Sequence, residues 1–192
     1  MLARMLERWT RQPGLKRKAG DIYGMVVAAA RQPGFYGPGR AADTPEGRLE
    51  LVALHLFLVA ERIKAELPDG ELLAQLLIEA FVTDMDDCMR EMGVGDLTVP
   101  KRVKSAAAMF YERGGDYRAA LANSAQKSAA ADQLVAIVAR TILAGAGDAA
   151  LAGELAAYIR TAHDRLARVS IDALAAGQFT FGDAPIVRAA AI

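Results

Sequence analysis

The segment that most constrains this chain runs from Thr44 to Leu67, TPEGRLELVALHLFLVAERIKAEL. Leu49, Leu51, Val52, Leu54, Leu56, Phe57, Leu58, Val59 and Ile63 make it apolar around most of a helical circumference. A helix of that kind is stable in water only when other elements surround it, so the 45–67 helix is predicted to be the centre of the fold. Its start is written locally. Thr44 takes the N-cap position, Pro45 the first helical position, and Glu46 the first turn, where the helix dipole favours an anion.

The surrounding elements are also predicted to be helices, because alanine is abundant and alternation of β-branched residues is almost absent. Leu2, Met5, Leu6 and Trp9 recur at helical spacing before an expected break at Pro13-Gly14, and a second helix is expected over 16–31. Residues 35–43 read as a loop rich in proline and glycine. After Pro68-Asp69-Gly70, with Asp69 as cap, a helix runs to about Met92. A further one spans 99–113, with Gly114-Gly115 as its break and a short helix at 117–121. Leu134, Ile137, Val138, Thr141 and Ile142 mark another, and a last long helix is expected over 149–175. Beyond Gly177 the chain reads as extended or disordered. The expected fold is all-α, a single globular bundle of about seven to eight helices with an extended C-terminal tail. Its expected division is a basic amphipathic helix at 1–14, a helical domain at 15–176 and a tail at 177–192.

Composition removes several function classes. The 23 basic and 23 acidic residues balance, which gives no support to general electrostatic binding of nucleic acid. Cys88 is the only cysteine, so the chain holds no internal disulfide and no zinc site built on cysteine pairs. No run of about 18 apolar residues is free of charge, so no membrane-spanning helix is expected, and the N-terminus lacks a secretory pattern. An intracellular location is expected. The charge is uneven nonetheless: Arg4, Arg8, Arg11, Lys16, Arg17 and Lys18 stand against Glu7 alone in the first eighteen residues. With Trp9 and the apolar stripe, Arg4, Arg8 and Arg11 have the composition of a membrane-surface helix, or of one that packs on its own domain.

The chemistry-bearing residues gather at 81–113. On a helical wheel Asp84 falls inside the apolar arc of the 71–92 helix, Asp86 points away and Asp87 lies at the margin. A carboxylate inside that arc needs a partner. Arg48, His55 and Arg62 repeat every seven residues and form one polar stripe on the central helix. That stripe faces solvent, or lies against the next helix and pairs Arg48 with Asp84. A metal site is not expected, since there is no H-E-x-x-H or E-x-x-H pattern and His163 sits on a remote helix. Cys88 reads as a small inward hydrophobe sooner than a nucleophile. Lys101, Lys104 and Tyr111 share an outward face, either solvated or a binding surface, beside the Gly93-Val94-Gly95-Asp96 turn.

These residues carry a resemblance. The pieces F-Y-G at 35–37, D-T-x-E-G-R-x-E at 43–50, VALHLFL at 52–58, DMDDCMREMGVGD at 84–96, KRVK at 101–104 and FYER at 110–113 with Tyr117 are similar to the ubiquinol-cytochrome c chaperone family. Members of that family are assembly factors for the cytochrome b subunit of respiratory complex III. The similarity covers about residues 35–121, and its longest motif is specific. The resemblance implies a non-enzymatic chaperone that binds newly made cytochrome b and protects it during assembly. It acts without a cofactor, near the ribosome and a small partner protein, with no specific nucleic acid. Here it looks like a bacterial member at the inner face of the cytoplasmic membrane. Gly93, Gly95, Asp96, Lys101, Lys104 and Tyr111 are then the expected client contacts, with Arg48 and Asp84 as their structural support. The competing reading is an all-helical enzyme using Asp84 and Asp87 with a divalent metal on an apolar substrate.

Overall fold

The computed structural model describes residues 2–65, 70–122, 127–145 and 149–185, except for the side chains of 2–12 and 127–132. Its helices are α1 (Leu2–Ala30), α2 (Pro45–Lys64), α3 (Gly70–Glu91), α4 (Val99–Ala122), α5 (Lys127–Thr141), α6 (Ala149–Ala167) and α7 (Ile171–Ala175), with a 3-10 turn at Pro33–Phe35. The bundle is all-α, as the helical periodicity predicts. The helix α2 is its axis: every residue from Leu51 to Ala60 is buried, and it packs against α1, α3, α4 and α6. Each large apolar side chain so buried contributes about 1.5–3 kcal/mol.

The start of α2 explains its motif residue by residue. The Thr44 hydroxyl accepts the Gly47 N–H at 3.2 Å, Pro45 opens the helix, and Arg48 turns back to Asp43 at 2.7 Å. At Gly47 a Cβ would lie 2.1 Å from the Ala42 carbonyl oxygen, so this entry of the chain demands glycine.

Three expected helix ends differ. The helix α1 runs through Pro13, which is exposed, so the proline costs one helix hydrogen bond without ending the helix. The helix α4 runs through Gly114-Gly115, because α4 lies so close to α2 that a Cβ on Gly114 would stand 3.2 Å from the Phe57 ring. Packing overrides the weak helix preference of glycine there. The expected 149–175 helix is instead α6 and α7. Ser170 caps α7 by accepting the Ala173 N–H at 3.2 Å, and Arg62 bonds the Leu166 and Val169 carbonyls at the end of α6. The expected cap Asp69 lies outside the described residues.

Residues 178–185, the described part of the tail, carry neither helix nor strand, and they are docked. Gln32 grips them in both directions: it accepts the Ala184 N–H at 2.7 Å and donates to the Gly182 carbonyl at 3.3 Å. Phe181 is buried, with its ring centroid 4.8 Å from that of His55.

Candidate functional site

The face of α2 that carries His55 is closed. His55 is fully buried, its Nδ1 lies 2.7 Å from the Leu51 carbonyl and its Nε2 2.8 Å from the Tyr158 hydroxyl. A carbonyl only accepts, so the proton is on Nδ1 and Tyr158 donates to Nε2. Burial lowers the His55 pKa to about 4, so the ring is neutral. The expected polar stripe therefore divides: Arg48 is exposed and holds Asp43, His55 is buried against α6, and Arg62 bonds the carbonyls at the end of α6.

The first turns of α2, from Pro45 to Val52, border open space instead. Between them and α1, α3 and α4 lies a groove of about 790 Å³. Four methionines line it, Met85, Met89 and Met92 from α3 and its end, and Met109 from α4. Val27, Leu49 and Val52 complete its apolar wall. The spacing Met85, Met89, Met92 is i, i+4, i+7, one stripe of a helix. Flexible, polarizable thioethers fit many apolar shapes, and such surfaces suit partners of variable sequence.

Charges frame the groove in two ways. Some are paired: Asp43 with Arg48, and Glu50 with Arg113 at 3.1 Å. Asp84 is half-buried and takes the Tyr23 hydroxyl at 2.7 Å, with the Cys88 thiol 3.9 Å from its other oxygen. The expected Arg48–Asp84 pair is not formed. Arg48 lies within reach of Asp43 five residues earlier, whereas α1 brings the Tyr23 hydroxyl to Asp84. Burial first, and then the bond to Asp84, pushes the Tyr23 pKa up, so this hydroxyl remains a donor. Arg31 and Arg102 line the groove and form no ion pair among the described residues.

The other expected site residues fall outside the groove. Lys101, Lys104 and Tyr111 are exposed on the outward side of α4, while Arg102, Ser105, Ala106 and Met109 face the groove. Gly93, Gly95 and Asp96 form the turn beyond Met92, with Gly93 at φ 76°. Asp96 and Asp86 are both held by Arg90, each at 2.6 Å. The three clustered aspartates at the start of the motif thus turn apart: Asp84 to Tyr23, Asp86 to Arg90, and Asp87 to solvent. Among the described residues no three His, Cys, Asp or Glu side chains gather as a metal ligand set. Burial, followed by the charge of Asp84, raises the Cys88 pKa and keeps it a thiol. No described helix is long and apolar enough to cross a membrane. The side chains of Arg4, Arg8, Trp9 and Arg11 lie outside the description.

A family profile described as ubiquinol-cytochrome C chaperone matches residues 40–181. The chain belongs to the ubiquinol-cytochrome c chaperone family. That span takes in α2 to α7, hence the groove walls from α2, α3 and α4. A crystal structure of the Cbp3 homolog from Brucella abortus is similar over 96% of this chain and 98% of that one, at 38% identity and a TM-score of 0.77. A comparison with curated proteins finds no match. As a chaperone-family member, the chain has a client protein to hold. Among the described residues, the methionine groove is a concave surface with a largely apolar lining. Sequence reading missed it, although the Met85, Met89, Met92 spacing was present inside the longest motif.

Proposed function

We propose that this protein is a non-enzymatic assembly chaperone that holds newly made cytochrome b in the groove between α1, α2, α3 and α4 during biogenesis of ubiquinol-cytochrome c reductase. One observation carries the reading: Met85, Met89, Met92 and Met109 line an open groove whose deeper walls are apolar. A membrane subunit not yet assembled exposes apolar helices, and such a helix lays its stripe of side chains into a groove of this type. Methionine lets one groove serve successive segments of a client. Asp84, Arg31 and Arg102 give it polar contacts at the edges. The groove thus replaces the outward face of Lys101, Lys104 and Tyr111 as the client contact.

The protein works at the inner face of the cytoplasmic membrane, where the client is inserted. The test is deletion of the gene, followed by measurement of complex III and cytochrome b. Both fall if the reading holds, and a Met89→Asp chain does not restore them. Normal levels of both in the deletion strain would overturn it.

A further inference from the structure

Four carboxylates line the groove, and three of them are accounted for. Asp43 is held by Arg48, Glu50 is held by the Arg113 guanidinium, and Glu46 is exposed to water in the first turn of α2. Asp84 differs, because it is half-buried and its two oxygens are treated unequally. Oδ2 accepts the Tyr23 hydroxyl at 2.7 Å, which fixes the orientation of the carboxylate. Oδ1 has, among the described residues, only the Cys88 thiol at 3.9 Å, a weak donor at long range. Among those residues Cys88 lines the groove and Tyr23 does not, so Oδ1 is the oxygen on the groove side.

We infer that Asp84 sets the specificity of the groove: the client segment it takes is an apolar helix interrupted by one neutral hydrogen-bond donor, which meets Asp84 Oδ1. An open groove leaves Oδ1 to water, and any occupant displaces that water. A wholly apolar occupant returns nothing for it, which is costly at a charged acceptor. A helix with an N–H or O–H at that point restores the bond, so the groove discriminates by what it would leave unpaired. Charge does not make the choice. Asp84, Glu91 and Arg31 all act on the neighbouring Cys88 thiol, the two acids against the one cation. A cation brought to Asp84 would also face Arg31, which lines the groove, and an anion would face both acids. A donor without charge avoids both conflicts. The inference rests on the groove being the client site, and adds what that site selects.

The test is binding of two labelled peptides to the full chain, read by fluorescence polarisation. Both are leucine–alanine helices of about twenty residues with lysines at the ends for solubility. One has tryptophan at its centre, whose indole N–H only donates. The other has benzothienylalanine there, of nearly the same shape with sulfur in place of the N–H. The tryptophan peptide is expected to bind about tenfold more tightly. Asp84→Asn keeps an acceptor for the Tyr23 hydroxyl but turns an amide donor to the groove. Its melting temperature should hold, and its preference for tryptophan should vanish. Equal binding of the two peptides by the unaltered chain would overturn the inference and leave the groove standing as the client site. A preference that survives in Asp84→Asn would also overturn it, and would assign the donor to another acceptor. If neither peptide binds, or if Met89→Asp binds both undiminished, the groove is not the client site, and its place in the proposed function falls together with this inference.

Discussion

On one side of α2, His55, Phe35, Tyr158 and Phe181 form a closed aromatic cluster in which both ring nitrogens of His55 are bonded. Beside the first turns of α2, Met85, Met89, Met92 and Met109 line an open groove. The two faces use different side chains for a physical reason. Rigid rings with fixed edge-to-face contacts specify one arrangement, whereas thioethers adapt to many. Stability should therefore be concentrated on the closed face and client recognition on the open one.

The largest effect on stability is expected at Phe35, which is 1% exposed and packs on both His55 and Tyr158. Phe35→Ala should cost about 3–5 kcal/mol in denaturant unfolding. A loss below about 1 kcal/mol would mean the cluster is loosely packed.

Acid gives the next effect. Because the folded pKa of His55 is lowered to about 4 from the usual 6.5, the unfolded chain binds the proton more readily. Its contribution to stability is thus fully present above pH 6.5 and is lost as the pH falls from there to about 4. The total is about 3 kcal/mol. A His55→Gln chain should lack this part of the pH profile. The same acid slope in that variant would assign the effect to other groups.

Tyr158→Phe leaves His55 Nε2 buried without its donor and should cost about 1–3 kcal/mol. Smallest for stability is Met89→Ser on the half-buried groove wall, about 1 kcal/mol or less. Its effect on function runs the other way. Capture of cytochrome b from detergent extract should fall at least tenfold, roughly the loss of one buried methionine contact. If capture fell equally for Tyr158→Phe, the division between the two faces would not hold.

Much of the fold was legible because it depends on local pattern. The apolar circumference of α2 requires a central position, and Thr44-Pro45 marks its start. The misplaced ends have tertiary causes. Gly114 reads as a breaker until Phe57 is seen against it, and Ser170 reads as mid-helix until Arg62 is seen capping the turn before it. The site was legible only in part. A period of seven identified Arg48, His55 and Arg62 as one stripe, but the partner of His55 is 103 residues away in sequence. Asp84 was rightly set toward the interior, yet a tyrosine on α1 and not an arginine is its partner. The methionine stripe was visible as spacing, whereas the groove exists only because α1, α2 and α4 wall it.

The most direct measurement is photo-crosslinking in cells, with a photoreactive residue in place of Met89 in the groove or of the exposed Ala157 on α6. Cytochrome b adducts from position 89 and none from position 157 are the predicted result. Adducts from 157 alone, or equally from both, would contradict the placement of the client in the methionine groove.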